Sequence, residues 1–361
     1  MKLIQVILLT SIMLFISACV AKKTPANRQS TYPAISNGPY VDNNCVNNVQ
    51  QQFKQAKTNG LTWTQYPWSF NWDKPYEPNG TKPSEFMDNY LYKHVQGFVK
   101  TNSSKYPFVG THSDDNEGGV FVIQRKNSGS LVLSSLHLAG TWHPSGIQVI
   151  GKYVVYGASG DLVFKDMESN NQSVDIRLSL GSEFKYGGGL GIVKQSDGSY
   201  LAIMTGPGGN KAKEHYNYFF EFSMYDSVPS ELNYINTSRV AMPSDWPSDY
   251  KYSENLSVLK ECGTEDIYTI HVTGELGIGN GPFGDASYWK LSKLNKTNDR
   301  YSLKSIDYLE SKQNLGSCNP RATGTVSVNS KHDLEFICHQ HSQRKGNSEE
   351  DKYYFEQGVL K

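Results

Sequence analysis

Gly189-Leu190-Gly191-Ile192-Val193-Lys194, a polar turn, and then Tyr200-Leu201-Ala202-Ile203-Met204 form the stretch that decides the fold. A small residue opens it, and two short runs of apolar and β-branched side chains flank Gln195-Ser196-Asp197-Gly198-Ser199. Runs of this length bounded by turn-forming residues read as paired strands. A Gly-rich loop and a third run, Tyr218-Phe219-Phe220-Glu221-Phe222, come next. The same order recurs elsewhere. Openings comparable to Gly189 are Gly97-Phe98-Val99, Gly146-Ile147-Gln148-Val149, Asn255-Leu256-Ser257-Val258 and Gly324-Thr325-Val326-Ser327-Val328. Second runs follow at Pro107-Phe108-Val109, Tyr153 to Tyr156, Asp266 to Val272 and Asp333 to His339. Third runs include Gly119 to Arg125, Ala286 to Leu291 and Tyr353-Tyr354-Phe355.

Four antiparallel strands per repeated unit, five units in all, is the arithmetic of an all-β β-propeller, which the body of the chain resembles. Small residues at the openings fit innermost strands crowded around a channel. The fifth unit stops after its third strand, so a strand drawn from Leu61 to Phe70 is expected to complete it. Five blades are the first reading, and a six-bladed ring or a β-sandwich is the alternative. The only helix expected spans Val46 to Ala56, ahead of Asn59-Gly60.

The N-terminus reads as a targeting segment. Lys2 precedes a mostly apolar run from Leu3 to Phe15, and Ile16-Ser17-Ala18-Cys19 closes it with small residues. The run is short for a spanning helix and suits a signal peptide. These four residues resemble the lipobox of bacterial lipoproteins, which implies cleavage before Cys19 and a covalent lipid on Cys19; no cofactor is expected besides that lipid. Val20, where an Asp would favour inner-membrane retention, points to the outer membrane. Acyl chains at about 0.8 kcal/mol per buried CH₂ would anchor the chain firmly. The expected organisation is a signal peptide over 1–18, a lipid-anchored tether rich in Lys, Pro, Asn and Ser over 19–44, and a single propeller domain over 45–361.

Lys and Arg number 35 and Asp and Glu 35, a balance that argues against nucleic acid as a partner. Setting Cys19 aside leaves Cys45, Cys262, Cys318 and Cys338. In an exported chain four cysteines without a CxxC spacing are expected to pair as disulfides rather than bind metal. Of three possible pairings, Cys318–Cys338 and Cys45–Cys262 suit the repeat. Cys318 precedes the fifth unit and Cys338 ends its second strand. Cys262 sits at a turn on the opposite face, within reach of the N-terminal segment.

The alignment also gathers a candidate site. Three residues before each opening stand His94, His143, Tyr186, Tyr252 and Arg321, and the second strands end near His112, His271, His339 and His341. Openings and second-strand ends share one face, so these residues are expected around the channel mouth. Three roles compete for them: binding a polar ligand such as a glycan, holding a metal with Asp114, Asp115 and Glu117 nearby, or simply satisfying one another. The ligand site is the functional reading, with no metal assigned.

Enzyme signatures are sparse. Gly157-Ala158-Ser159-Gly160 lacks the spacing of a nucleophile elbow, and Gly206-Pro207-Gly208-Gly209-Asn210-Lys211 lacks the ending of a phosphate loop. A glycoside hydrolase would need paired carboxylates, for which Asp114, Glu254 and Glu275 are the candidates. The expected function is therefore a non-catalytic envelope lipoprotein that binds a glycan or an envelope protein. A glycoside hydrolase-like enzyme and a structural assembly scaffold are the alternatives.

Overall fold

The computed structural model describes residues 45–71, 94–101, 104–113, 119–125, 127, 131–138, 144, 146–158, 160–166, 175–180, 188–208, 211–225, 228–234, 240–241, 255–274, 286–298, 300–312, 324–339 and 352–360, less some strand side chains. The expected signal peptide, Cys19 and the tether lie outside these residues.

Among the described residues the chain is all-β apart from one helix. Strand β1 (Cys45–Val46), helix α1 (Val49–Asn59) and strand β2 (Leu61–Asn71) lead it. The first sheet is β3 (His94–Lys100), β4 (Phe108–Ser113), β5 (Gly119–Arg125) and β6 (Leu131–Leu138). The second is β7 (Ile147–Ile150), β8 (Tyr153–Ala158), β9 (Asp161–Asp166) and β10 (Ile176–Ser179). The third is β11 (Leu190–Lys194), β12 (Tyr200–Gly208), β13 (Lys211–Tyr225) and β14 (Val228–Tyr234), with β15 (Val240–Ala241) beside β13. The fourth is β16 (Asn255–Glu261), β17 (Ile267–Gly274), β18 (Ala286–Thr297) and β19 (Arg300–Lys312), and β1 adds to β16 in parallel. The last is β20 (Thr325–Val328), β21 (Leu334–His339) and β22 (Lys352–Leu360), with β2 antiparallel to β22. Apart from β1, β2 and β15, the strands of each sheet follow one another as an antiparallel meander, as the repeat implied.

These strands read as continuous apolar runs because both of their faces are covered. All six residues of β8 are buried. Val154 and Tyr156 pack with Val109, Val120 and Val122 of the first sheet. Tyr153 and Val155 turn the other way, toward Leu190, Ile192, Met204 and Phe220 of the third. Aromatic contacts lock the same boundary, with Phe164 meeting Phe222 edge-on at 5.4 Å. Tyr268, Ile270, Val272 and Trp289 of the fourth sheet pack on Val326 and Phe336 of the last. Lys100 reaches Glu335 at 2.5 Å and ties the first sheet to the last. The arrangement is propeller-like: sheets stacked face to face, each against the next.

Glycine sets how close the first strands come. A Cβ on Gly97 would meet Ile147 Cγ2 at 2.9 Å, and one on Gly146 would meet the Leu190 nitrogen at 2.2 Å. On Gly189 it would lie 2.7 Å from the Asn255 carbonyl carbon, and on Gly191 2.3 Å from Val258 Cγ2. Each contact joins a first strand to the next one along. In the same way β16 lies beside β20, and β20 beside β3. The small residues singled out in the sequence therefore sit where strand backbones touch.

Helix α1 begins three residues later than its pattern suggested. Cys45 and Val46 are taken up by pairing with Lys260 and Glu261 of β16. Asn48, at φ 49°, then caps the helix, its side-chain oxygen accepting from Gln51 N at 3.0 Å. Glu261 accepts from Val49 N at 2.9 Å, placing a carboxylate at the positive end of the helix. Phe53 and Ala56 bury into the core between the fourth and last sheets. Gly60, at φ 73°, ends the helix and releases the chain into β2.

A Cys45–Cys262 disulfide fastens this N-terminal segment to the fourth sheet, as expected. It spans a separation of 217 residues, for which chain entropy alone gives a stabilisation of about 5 kcal/mol. Cys338 is buried and also disulfide-bonded, with a partner outside the described residues.

Replacing Gly189 by Ala should lower the unfolding free energy by about 2–3 kcal/mol, since backbone atoms of β16 would have to move. Gly198→Asn, in an open turn at φ 87°, should cost less than about 1 kcal/mol. Urea titrations of both variants read the difference, and equal costs would refute the close approach.

Candidate functional site

The backbone register brings first-strand openings and second-strand ends to a common edge. Gly97 stands opposite Thr111, Ile147 opposite Tyr156, Leu190 opposite Met204, Asn255 opposite Val272 and Thr325 opposite Ile337. Beyond these pairs the third sheet is closed by hydrogen bonds from Gly188 N to the Thr205 carbonyl (2.7 Å) and from Thr205 N to that of Gly189 (2.9 Å).

His94 opens β3 opposite Ser113, His112 lies opposite Val95, and His339 ends β21. These are strand positions only. His143, Tyr186, Tyr252, Arg321 and His341 lie outside the described residues, as do Asp114, Asp115, Glu117, Glu254, Glu275 and Cys318. His271 is the one candidate whose side chain is described. It sits near the end of β17, as the alignment implies, but its ring turns into the interface with the third sheet and is fully buried.

Alternation explains what surrounds it. Thr269, His271 and Thr273 share one face of β17, and directly opposite on β18 stand Ser292, Lys290 and Tyr288. His271 Nε2 lies 2.7 Å from Asn217 Oδ1 on β13, which shows that this face meets the third sheet. Asn217 is in turn opposite Thr205 on β12. The ring nitrogen facing the amide oxygen is the donor, since that oxygen can only accept.

The layer between these two sheets is graded. Toward the common edge it is polar, with Thr205, Asn217, Thr269, His271, Thr273, Lys290 and Ser292 all buried. In the middle Leu201, Ile203 and Phe219 pack on Leu256, Leu294 and Tyr301, with Phe219 stacked on Tyr301 at 4.8 Å. At the far end Glu221 accepts from Tyr301 (2.6 Å), Lys296 (3.0 Å) and Gln195 (3.3 Å). Burial works to raise the Glu221 carboxyl, and these hydrogen bonds outweigh it, holding the group below the usual carboxylate range.

Burial has the larger effect on His271. Removal from water, with Lys290 adding repulsion, lowers its pKa from 6.5 to about 3, so the ring is neutral at physiological pH. Asn217, Lys290 and the hydroxyls of Thr269, Thr273 and Ser292 escaped the sequence reading. Alternating Thr-x-His-x-Thr is the signature of a solvent-facing strand, and only the stacking of a second sheet makes that face interior.

Two other places can be assessed. Among the described residues one set of metal-type ligand atoms, from Cys45, Cys262 and His332, lies within 4.8 Å. The sulfurs are bonded to each other, and His332 Nδ1 is 3.0 Å from the Cys45 carbonyl, so the set offers no thiolate and fits a covalent staple. A groove of about 690 Å³ runs between α1 and the β20–β21 turn, lined by Asn47, Gln51, Gln55, Ser330 and Lys331 among others. Much of its amide capacity is structural. Gln52 accepts from Leu334 N at 2.7 Å and donates to the Asn47 carbonyl at 2.7 Å.

No family model and no curated protein matches the chain. Among solved structures, PhoX of Pseudomonas fluorescens in complex with vanadate is 8% identical, covers 79% of this chain and 81% of its own, and superposes with a TM-score of 0.40. The GH32 β-fructofuranosidase BmSUC1 of Bombyx mori is 10% identical, with 73% and 61% covered and a TM-score of 0.43. The α-L-arabinofuranosidase PaAbf62A of Podospora anserina is 10% identical, with 82% and 96% covered and a TM-score of 0.34. Likeness at this level assigns no activity, and the fold rests on the pairings and packing described above.

The neutral His271 makes stability depend on pH. Below about 6.5 the unfolded chain takes up a proton that the folded ring refuses until about pH 3. Stability contributed by this site therefore falls as pH drops through that window, at up to about 1.4 kcal/mol per pH unit. A His271→Gln variant should lose that part of the slope in denaturant titrations between pH 7 and 4. Parallel pH profiles for the variant and the native chain would refute the assignment.

Proposed function

We propose that the chain is an envelope lipoprotein, held to the outer membrane through lipid on Cys19, whose body is a five-bladed propeller that binds a polar ligand at one face and catalyses nothing. Five sheets, each built on four antiparallel strands, whose first strands adjoin in sequence and return from β20 to β3, support the blade count. Pairing of β2 with β22 supports closure of the ring by an N-terminal strand. The Cys45–Cys262 bond favours an oxidising compartment, and no helix among the described residues is long and apolar enough to cross a membrane.

One observation carries the binding reading: the shared register that brings all five strand openings to one edge. His94, His143, Tyr186, Tyr252 and Arg321 each precede an opening by the same three-residue interval in the sequence, and on this proposal they serve the channel mouth. Imidazole, phenol and guanidinium groups together supply donors and flat ring surfaces, the combination that suits a glycan. A second bridge, Cys318–Cys338, would brace the entrance to the last blade.

Cys19→Ser tests the anchor: the variant should leave the membrane fraction and become soluble. That soluble chain can then be titrated with polysaccharide extracted from the cell envelope. Replacing Arg321 and His143 by Ala should weaken binding at least tenfold, an effect on the order of 1.4 kcal/mol. Unchanged membrane partitioning would refute the anchor, and unchanged or absent polysaccharide binding would refute the site.

A further inference from the structure

The bridge between Cys45 and Cys262 carries an inference independent of the channel-mouth reading, because its two sulfurs have different surroundings. Both cysteines are half-buried, at the end of the fourth sheet away from the common edge. Cys262 stands at an open turn. Gly263, Thr264 and Glu265, which follow it, are all exposed, and a Cβ added at Gly263 would meet nothing within 4 Å.

Cys45 is instead flanked by the β20–β21 turn. Asn47 N donates to the His332 carbonyl at 2.9 Å, and His332, at φ 64°, donates through its own N to the Asn329 carbonyl at 3.0 Å. The ring so placed has Nδ1 3.0 Å from the Cys45 carbonyl oxygen and 3.7 Å from Cys45 Sγ. That carbonyl can only accept, so Nδ1 carries the proton and presents it to the oxygen and the sulfur together. In thiol–disulfide exchange the more accessible sulfur is attacked, and the one whose thiolate is better stabilised leaves. Open space beside Cys262 and an N–H beside Cys45 select the same direction.

We propose that the Cys45–Cys262 bridge is a thiol-exchange site for a dithiol reductant, with Cys262 the sulfur attacked and Cys45 the sulfur that leaves. The incoming thiolate bonds to Cys262 Sγ as the Sγ–Sγ bond breaks. The electron pair of that bond passes to Cys45 Sγ, whose thiolate accepts from His332 Nδ1. The reductant's second thiolate then attacks its own partner sulfur, closing as a disulfide and releasing the Cys262 thiolate. Two electrons pass from the dithiol to the bridge, and the protons of its two thiols end on the two cysteines. The fold need not open for this. Cys262 N donates to the Val46 carbonyl at 3.0 Å, Glu261 accepts from Val49 N, and Val46, Val49 and Phe53 are buried in the core. The N-terminal segment therefore stays docked when its covalent fastening is released.

Trapping on the oxidised full chain is the test. The protein is mixed with excess reduced glutathione, quenched at intervals with N-ethylmaleimide and mapped by peptide mass spectrometry. Glutathione should be found on Cys262 and maleimide on Cys45, with the reverse labelling about tenfold rarer. Dithiothreitol should open this bridge about tenfold faster than the one formed by Cys338, which is fully buried. His332→Gly accepts the positive φ without strain but lacks the ring, and should slow opening about tenfold and lower the preference for Cys262. The Cys338 bridge, opening at its native rate in that variant, separates this effect from a general loosening of the fold. Adducts shared equally or favouring Cys45, an unaltered rate in His332→Gly, or earlier opening of the Cys338 bridge would overturn the proposal.

Discussion

The close approach of the first strands is the constraint on which the rest depends. Gly97, Gly146, Gly189 and Gly191 each occupy a point where an added carbon would strike the neighbouring strand. Hydrogen side chains there let four-stranded sheets converge at their inner edges while their outer edges spread apart. The interblade stitches follow from that proximity. Ser257 Oγ accepts from Val326 N at 2.9 Å, and Gln148 donates to the Leu190 carbonyl at 3.3 Å, each joining one first strand to the next. A larger residue at Gly189 would push Asn255 and Leu256 away and loosen both the apolar and the polar parts of the layer they border.

Once the inner edges are fixed, sheets have to pack face to face, and the composition of each interface becomes a separate choice. Most are hydrocarbon and aromatic, where each fully buried large side chain contributes about 1.5–3 kcal/mol. The interface of the third and fourth sheets departs from this at one end, where His271, Asn217, Lys290 and several hydroxyls replace apolar groups. A layer so constituted gives up hydrophobic stabilisation.

Much of this architecture was legible in the sequence, because a crowded inner strand leaves a small residue at a fixed place in a repeating pattern. The same reasoning reached β2 as the completing strand and Cys45–Cys262 as a bridge. Helix α1 shows where pattern alone fails: the apolar spacing from Val46 is helical, yet Val46 is claimed by β16 and the cap falls at Asn48. His271 shows the other limit. Its place at the end of a second strand follows from the repeat, whereas its burial depends on Asn217, 54 residues away on another sheet. Partners that far apart leave no local mark, so neither Asn217 nor Lys290 could be picked out beforehand.

The central claim is that an N-terminal strand completes the last sheet and closes the proposed ring. Disulfide trapping across β2 and β22 tests it most directly, since Thr62 stands opposite Val359 there. Directly opposed residues bring their Cα atoms into the range a disulfide needs. With cysteines at both positions, oxidation should yield the linked peptide within one molecule in high yield. A control pair at Thr62 and Gln357, two residues out of register, should yield little. Equal yields from both pairs, or no intramolecular link from the first, would contradict closure by this strand.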